Sequence, residues 1–182
     1  RQVIHFSPFK IIILDQAESP LHNLRLEINE IAGKVKIRTV LADVKDFEAM
    51  EYVFQTYKPD YVYHAAAYKH VPLMEENPAQ AILTNVVGTK NLADLSCRYQ
   101  VEKFVLISTD KAVNPSSVMG ASKRIAEKYV QSLNFYAKNS NPNSTAKFIT
   151  TRFGNVLGSN GSIVPLFTKQ IQEGGPLTIT HP

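Results

Sequence analysis

The chain of 182 residues is long enough for one domain with a continuous core. Its 44% hydrophobic and 20% charged residues are typical of a globular protein and exclude an intrinsically disordered one. The net charge of +4 comes from scattered Lys and Arg residues that form no long basic run, so we expect a solvated basic surface and no nucleic-acid partner.

Membrane and redox signals are equally limited. No apolar stretch approaches the roughly 18 residues that a membrane span needs, so we expect this segment to make no membrane contact and to be cytoplasmic. The single cysteine, Cys97, cannot form an intrachain disulfide and fits a reducing compartment. We expect it to be a small core residue.

Apolar runs and helical periodicities alternate along the chain. Helix starts are indicated by Ser19-Pro20, by Asp46 and by Asn77-Pro78, and Gly33 is a predicted helix end. Predicted strands span residues 10–15, 35–44, 61–64, 103–108, 148–152 and 177–180, and predicted helices span about 19–33, 46–57, 77–97, 117–138 and 163–173. Repeated βα units predict an α/β fold with a parallel, doubly wound sheet.

The two longest predicted helices each have an apolar stripe that we expect to be buried. On the helix at 77–97 the stripe consists of Ile82, Leu83, Val86, Leu92 and Leu95. On the helix at 117–138 it consists of Ile125, Tyr129, Val130 and Leu133.

Residues 108–123 carry the strongest functional signal. The apolar run at 104–107 ends in Ser108-Thr109-Asp110-Lys111, and polar groups at the end of a buried strand are costly unless they form a site. Lys123 follows Met119 by about one helical turn, so both side chains share a helix face. This is the Tyr-x-x-x-Lys spacing of short-chain dehydrogenase/reductases, with methionine in place of tyrosine.

Four ordered motifs extend this similarity over about two thirds of the chain: residues 64–72, 84–89, 108–123 and 152–159. Together they resemble the nucleotide-sugar branch of the extended short-chain dehydrogenases, specifically the polysaccharide-biosynthesis 4,6-dehydratases that act on UDP-N-acetylglucosamine. The methionine is similar to that of the large, membrane-anchored members. The resemblance implies a Rossmann-like fold, an NAD or NADP cofactor, a UDP-sugar substrate and a role in capsule or O-antigen synthesis. It also implies a homo-oligomeric parent protein, anchored through an upstream region at the cytoplasmic face of the membrane.

The resemblance further implies that the chain is part of a domain. A Rossmann domain begins with a strand and a Gly-x-Gly-x-x-Gly turn, and neither precedes the strand at 10–15. We therefore expect residues 1–182 to be a partial NAD(P)-binding domain, truncated at both ends, with 153–182 beginning the substrate-binding part. Such a fragment would bind cofactor feebly or not at all, and would be inactive alone.

Several strand ends resemble cofactor-binding positions. Asp15 corresponds to the acidic residue that binds the adenosine ribose, and its charge favours NAD over NADP. Asp43 and Val44 resemble the pair at the adenine edge, with an ordinary turn aspartate as the alternative. Lys123 resembles the lysine of the nicotinamide ribose. The resemblance places the dinucleotide against His64, Ala65, Ala66 and Ala67, although a lone histidine there is also typical of a core.

Asp110 and Lys111 match the dehydratase acid and base, and Thr109 would bind the C4 oxygen. Burial would raise the pKa of the carboxyl and lower that of the amine, whereas their mutual attraction does the opposite, which leaves the balance open. An exposed ion pair in a turn is the alternative. Met119 cannot accept the proton that tyrosine usually takes. Lys123 or Lys111 could replace it as base, Tyr68 could supply the function, or activity could be lost.

On the substrate side, Tyr68, Lys69 and His70 resemble a sugar-facing loop. Candidates for the diphosphate and uracil are Asn155, Ser159 and Val164, and Asn85 is a candidate tether to the strand that carries Thr109. Three rival functions stay open: a dehydratase that also inverts C5, a C4-epimerase, and a non-catalytic dinucleotide-binding Rossmann protein.

Overall fold

The computed structural model describes residues 1–140, 146–154, 156 and 163–177. Two short 3-10 turns, Gln2–Phe6 and Asp110–Ala112, accompany the regular elements. The strands are β1 (Lys10–Asp15), β2 (Lys36–Leu41), β3 (Tyr61–His64), β4 (Lys103–Thr109) and β5 (Lys147–Phe153). The helices are α1 (Glu18–Ile31), α2 (Phe47–Tyr57), α3 (Val71–Glu76), α4 (Pro78–Ala81), α5 (Thr89–Arg98), α6 (Val118–Ser140) and α7 (Ile163–Gln172). A π-helical segment, Ile82–Gly88, joins α4 to α5 without a break.

All strand pairs in the described residues are parallel. Strand β1 pairs with β2, and β3, β4 and β5 form a second sheet in that order. Helices alternate with the strands, as the repeated βα pattern predicts, and the α/β class is confirmed. Because parallel strands share their direction, the carboxyl ends of β3, β4 and β5 lie along one edge.

The core is centred on β4. Phe104 and Leu106 of this strand are fully buried against Leu95 of α5, Val130 of α6 and Phe148 of β5. The ring centroids of Phe104 and Phe148 lie 5.7 Å apart in a tilted contact. Each such side chain contributes about 1.5–3 kcal/mol when fully buried. The face of β4 that carries Phe104 and Leu106 is therefore held firmly in the core. Cys97 is half-buried and packs against this core, as predicted.

The π-helical segment overturns the predicted burial of the long helix. Ile82 and Leu83 are 41% and 42% exposed, respectively. Thr84, Asn85 and Gly88 are buried instead. A π-helical turn contains more residues than an α-helical one, so the buried face no longer follows the 3.6-residue period. Leu92 and Leu95, which lie beyond the segment, are buried as predicted.

Helix α6 departs from its predicted face at one position. Ile125 is half-exposed, and the buried positions of this turn are Ala126 and Glu127. Val130 and Leu133 are buried as predicted. The apolar stripe was misplaced because a charged residue, Glu127, occupies the face that packs against the sheet.

The structure tests three predicted helix starts, and Asn77-Pro78 is confirmed because α4 begins at Pro78 with Asn77 at the cap position. Asp46 caps α2 as predicted, accepting a hydrogen bond from Ala49 N at 3.0 Å. Helix α1 begins at Glu18 with Ala17 at the cap position, so the predicted Ser19-Pro20 cap is wrong. The turn closes earlier because Ala17 N donates to Asp15 Oδ1 at 2.8 Å, and proline is tolerated in a first turn, where its missing N–H has no partner to lose.

Other boundaries differ by a few residues. Strand β2 ends at Leu41 rather than at residue 44, and α3 was not predicted. Of the strand predicted at 177–180, residues 178–180 lie outside the described residues. No helix in the described ranges is long and apolar enough to cross a membrane.

Candidate functional site

A cleft of about 210 Å³ lies where the carboxyl ends of β1, β2 and β3 approach one another. It is lined by Leu14, Asp15, Gln16, Ala42, Asp43, Val44, Ala65, Ala66, Ala67, Tyr68 and Thr84. The predicted cofactor residues of three separate strands therefore come together here. The small Ala65–Ala67 side chains leave the backbone of the β3 end open to a ligand.

The two aspartates of the cleft also organise their own turns. Asp15 Oδ1 accepts from Ala17 N, as described above. Asp43 Oδ1 accepts from Lys45 N at 3.0 Å, and Asp43 Oδ2 lies 3.2 Å from Lys45 Nζ. The alternative turn role of Asp43 is thus present in the structure. It is compatible with a role in the cleft because the same side chain lines it.

The π-helical segment and α5 hold the loops of the cleft through two asparagines. Asn91 Nδ2 donates to Val44 O and to Lys45 O, each at 3.1 Å. Asn85 Oδ1 accepts from Tyr68 N at 2.8 Å, and its Nδ2 donates to Tyr68 O at 3.1 Å. These are backbone contacts, so the asparagines fix the loop conformation rather than one side chain.

Asn85 also connects the cleft to α6. Its Nδ2 donates to Ser122 Oγ at 3.0 Å, next to Lys123 in the chain. Asn85 is therefore a tether, as predicted, but its partners are the Tyr68 loop and α6. The predicted partner, the strand that carries Thr109, is not among the contacts described for its side chain.

His64 is buried inside the core. Its Nε2 lies 2.9 Å from Thr89 Oγ1, and that hydroxyl donates to Asn85 O at 2.7 Å. Because the hydroxyl proton of Thr89 is used, Nε2 of His64 must be the donor of the pair. Burial, reinforced by the charge of Lys123, lowers the pKa of His64 to about 3, so the ring is neutral. His64 is not among the residues that line the cleft, and its buried contact with Thr89 matches the alternative of a core histidine.

Thr109, Asp110 and Lys111 form one hydrogen-bonded cluster at the end of β4. Thr109 Oγ1 donates to Asp110 Oδ1 at 2.9 Å, and Lys111 Nζ lies 3.3 Å from the same oxygen. The side chains of Asp110 and Lys111 are 55% and 43% exposed. The hydrogen bond from Thr109, aided by Lys111 and opposed by slight burial, lowers the pKa of Asp110. For the Asp110 carboxyl, the attraction to its neighbours therefore changes the pKa more than burial does.

Helix α6 packs directly against this cluster. Lys123 Nζ donates to Ile107 O of β4 at 2.7 Å, and Lys123 is only 5% exposed. Burial lowers the pKa of Lys123 to about 8, although the nearby Glu127 carboxylate raises it in part. One turn earlier, Gly120 allows the close approach: a Cβ at this position would lie 2.3 Å from Lys111 O.

Glu127, which the sequence analysis missed, anchors the same helix to β5. Its carboxylate is buried and accepts from Arg152 Nε at 2.8 Å and from Arg152 Nη2 at 2.6 Å, with Arg124 Nη1 at 3.2 Å. Burial would raise its pKa, but hydrogen bonds from Arg152 and Arg124 outweigh it and lower the pKa to about 2. One signal in the sequence could have indicated this role, because Glu127 follows Lys123 by one helical turn and therefore lies on the same helix face.

Met119 lies in an apolar cluster away from bulk solvent. It is buried with Met74 and Ala81, and Tyr68 and Val71 pack against the group. The thioether is therefore a packing group next to the cleft loop. This explains why a methionine is accommodated here, but it leaves the proton acceptor to another residue.

The remaining predicted substrate residues are only partly described. Tyr68 is half-buried and lines the cleft, whereas Lys69 and His70 are exposed and immediately precede α3. Asn155 and Ser159 lie outside the described residues, and Val164 belongs to α7 with its side chain outside them. Their roles stay predictions.

Comparison with known proteins defines the family. The sequence profile described as "Polysaccharide biosynthesis protein" matches residues 1–182. The chain is 51% identical over 183 aligned positions to the capsular polysaccharide biosynthesis protein CapD of Staphylococcus aureus, covering 100% of this chain and 30% of CapD. It is 38% identical to a UDP-glucose 4-epimerase of Rickettsia canadensis, covering 95% of this chain and 48% of that protein. The chain thus spans less than half of these relatives.

Solved structures share the fold. Pen from Bacillus thuringiensis superposes with a TM-score of 0.85 at 33% identity, over 99% of this chain and 53% of that one. A double mutant of the dTDP-glucose 4,6-dehydratase DesIV from Streptomyces venezuelae, solved with NAD and DAU bound, gives a TM-score of 0.71. It covers 97% of this chain and 58% of DesIV, and at 19% identity it supports the fold alone.

We expect Gly120→Ala to destabilise the protein. Alanine normally favours a helix by about 1 kcal/mol over glycine, but here its Cβ would overlap the Lys111 carbonyl, and overpacking costs about 1–3 kcal/mol. Urea unfolding should therefore show a lower free energy of unfolding for Gly120→Ala than for wild type. Gly154→Ala is the matched control, because its Cβ would lie 3.7 Å from Asp110 Oδ2, an ordinary contact. Equal stability of Gly120→Ala and wild type would contradict the packing.

We also expect His64 to make the protein sensitive to acid. The folded ring has a pKa of about 3 against an ordinary 6.5, so below pH 6.5 only the unfolded chain gains the proton. Stability should fall by roughly 2 kcal/mol between pH 7 and pH 5 from this group alone. Glu127 also destabilises the folded protein in acid, but only at lower pH, between its ordinary pKa of 4.5 and its folded pKa of about 2.

The matched variant is His64→Gln, which keeps an N–H donor for Thr89 but does not titrate. Urea unfolding at pH 7 and pH 5 should show a smaller loss in His64→Gln than in wild type. Parallel pH dependences in the two proteins would show that His64 is not held neutral by the fold.

Proposed function

Because the chain belongs to the family of polysaccharide biosynthesis proteins, we propose that it carries the catalytic residues of an NAD-dependent nucleotide-sugar 4,6-dehydratase. The substrate would be UDP-N-acetylglucosamine, converted to a 4-keto-6-deoxy sugar for a capsule or O-antigen. The observation that carries the proposal is the Thr109–Asp110–Lys111 cluster, held at the end of β4 beside the buried Lys123.

The cleft residues fit part of a dinucleotide. A volume of about 210 Å³ is below the ~300–1,000 Å³ of complete ligand pockets, so the cleft suits the adenosine portion only. The Asp15 carboxylate at the end of β1 would accept hydrogen bonds from the ribose hydroxyls and repel a 2′-phosphate, which favours NAD over NADP. Ala65–Ala67 would give the ligand access to the backbone.

Bound NAD⁺ would supply a hydride acceptor for C4 of the sugar and later a hydride donor for C6. In the proposed reaction Thr109 binds the C4 oxygen and Lys111 removes the C5 proton, made acidic by the C4 ketone. Asp110 protonates the departing C6 hydroxyl, which leaves as water. When hydride has returned to C6, the Lys111 ammonium, which exchanges its protons with solvent, gives a proton back to C5. For this role the pKa of Asp110 must rise from its lowered value. Exclusion of water from the exposed carboxyl by a bound sugar would raise it.

We propose that Lys123 accepts the proton of the C4 hydroxyl. Met119 is buried among apolar side chains and cannot take the proton. Lys123 is buried on the same helix, and its pKa of about 8 makes a neutral amine accessible near physiological pH. Tyr68, the other candidate near Met119, has its backbone fixed by Asn85 but no described contact that would activate its hydroxyl.

A C4-epimerase is the second candidate, supported by the 38% identity to the Rickettsia enzyme. Epimerisation needs hydride transfer at C4 but neither proton removal at C5 nor loss of the C6 hydroxyl. The Asp110–Lys111 pair would have no task in such a reaction, so its hydrogen-bonded arrangement favours the dehydratase.

The complete protein, incubated with UDP-N-acetylglucosamine and NAD⁺, should release a product that has lost one water, as detected by mass spectrometry. Lys111→Met should lower the rate by about 10²–10⁴-fold, the usual contribution of a general base. Lys90→Met is the control, since Lys90 is also an exposed lysine paired with a carboxylate, that of Asp94. A product of unchanged mass would support the epimerase and contradict the proposal.

The rate of the wild-type reaction should rise with pH through about 8, because Lys123 must lose its proton to act as base. The residual activity of Lys111→Met should keep the same rising limb, since Lys123 is intact there. A limb that disappears in Lys111→Met would instead identify Lys111 as the titrating base.

A further inference from the structure

A hydrogen bond joins α3 to the start of α6, and the proposed mechanism does not use it. Glu75 Oε1 accepts from Val118 N at 2.7 Å, although the two residues are 43 positions apart in the sequence. Val118 is the first residue of α6, so its N–H has no carbonyl partner within the helix. The carboxylate is also favoured by the positive end of the helix dipole. Glu75 thus attaches α3 to the helix that carries Lys123.

The start of α6 does not need Glu75 in order to form. Ser117 is a local cap, since its Oγ accepts from Gly120 N at 3.1 Å. The bond between Val118 N and Glu75 is exposed, and water could satisfy this N–H instead. A carboxylate from another helix is therefore not required for capping. Its additional effect is to fix the position of α3 relative to α6.

An apolar contact reinforces the same junction. Met74, the neighbour of Glu75 on α3, is buried in one cluster with Met119 of α6, and Val118 packs against this cluster. Helix α3 is therefore attached to the first turn of α6 by a polar and an apolar contact. Met119 occupies the tyrosine position of the Tyr-x-x-x-Lys spacing, and its side chain here helps to hold α3.

The loop before α3 is attached to α6 at its other end as well. Asn85 bonds to both backbone groups of Tyr68, and its Nδ2 donates to Ser122 Oγ of α6 at 3.0 Å. Ser122 follows Val118 by about one helical turn. The exposed residues 69–70, which the sequence predicts to face the sugar, therefore lie between two attachments to one helix.

We propose that Glu75 is a positioning residue that holds the sugar-facing residues 69–70 in a fixed place relative to Lys123. If α3 were released from α6, residues 69–70 would move with it. Lys123 would stay, because its own hydrogen bond ties it to Ile107 O. Tyr68 would also stay in the cleft, because Asn85 holds its backbone independently. The inference rests on the proposed function, in which residues 69–70 contact the sugar.

The test is ligand binding by calorimetry in the complete protein saturated with NAD⁺. UDP-N-acetylglucosamine should bind about three- to tenfold more weakly to Glu75→Ala, because the sugar must then order a loop that has lost one hydrogen bond. Binding of UDP, which lacks the sugar, and of NAD⁺ to the free protein should be unchanged. Glu75→Gln keeps an oxygen acceptor for Val118 N and should bind close to wild type. Glu76→Ala is the matched control, because this exposed neighbour has no bond to the described part of α6.

The three ligands separate a positioning role from a structural one. Weaker binding of all three to Glu75→Ala, or an equal loss in Glu76→Ala, would overturn the inference, since general stability or surface charge would then be the cause. Unchanged affinity of Glu75→Ala for UDP-N-acetylglucosamine would also overturn it, while a dehydrated product from wild type would leave the proposed function intact. Failure of wild type to bind UDP-N-acetylglucosamine would overturn both.

Discussion

The contact between the first turns of α6 and the end of β4 determines where the chemistry-bearing side chains lie. Gly120 brings the helix against the Lys111 carbonyl in the 3-10 turn Asp110–Ala112, and Lys123 donates to Ile107 O of β4. The first contact is made at the last residue of the Thr109–Lys111 segment, and the second is made two residues before the segment begins. A small residue and a buried amine thus place the cluster and Lys123 next to each other, and one turn later Glu127 anchors the same face of the helix to Arg152 of β5.

A continuous set of buried hydrogen bonds links this contact to the cleft. His64 bonds to Thr89, Thr89 to Asn85 O, and Asn85 to both the Tyr68 backbone and Ser122. Ser122 in turn donates to Met119 O within α6. The strand end of β3, the π-helical segment and the lysine-bearing helix are therefore joined by groups that are nearly all satisfied. The network gives a physical reason why the cleft and the Thr109–Lys111 cluster keep a fixed separation.

Local signals were sufficient for much of the fold. The apolar runs predicted the bounds of β1 and β3 correctly, and Asp46 predicted the start of α2. These features could be predicted because they depend on neighbouring residues only. The buried face of the long helix was wrong because a π-helical turn has no sequence signature as simple as a period. Glu127 was missed because its partner, Arg152, is 25 positions away in the sequence.

In the candidate site, too, some features could be predicted from the sequence and others could not. Strand-end positions predicted Asp15, Asp43, Val44 and Ala65–Ala67 as one group, and the structure brings them together. Sequence could not decide the balance of burial and attraction at Asp110, because it depends on how exposed the turn is. It also could not distinguish a buried His64 from a ligand-facing one. The roles of Asn155, Ser159 and Val164 and the partial-domain assignment stay predictions.

The central claim is that the cluster at the end of β4 performs acid–base chemistry at C5 and C6 of a sugar. The most direct measurement is the initial reaction of the complete protein with UDP-N-acetylglucosamine and NAD⁺ in D₂O, analysed by mass spectrometry and NMR. The account predicts a dehydrated product that carries one solvent deuterium at C5. A dehydrated product without deuterium at C5, or a sugar that retains its C6 hydroxyl, would contradict it.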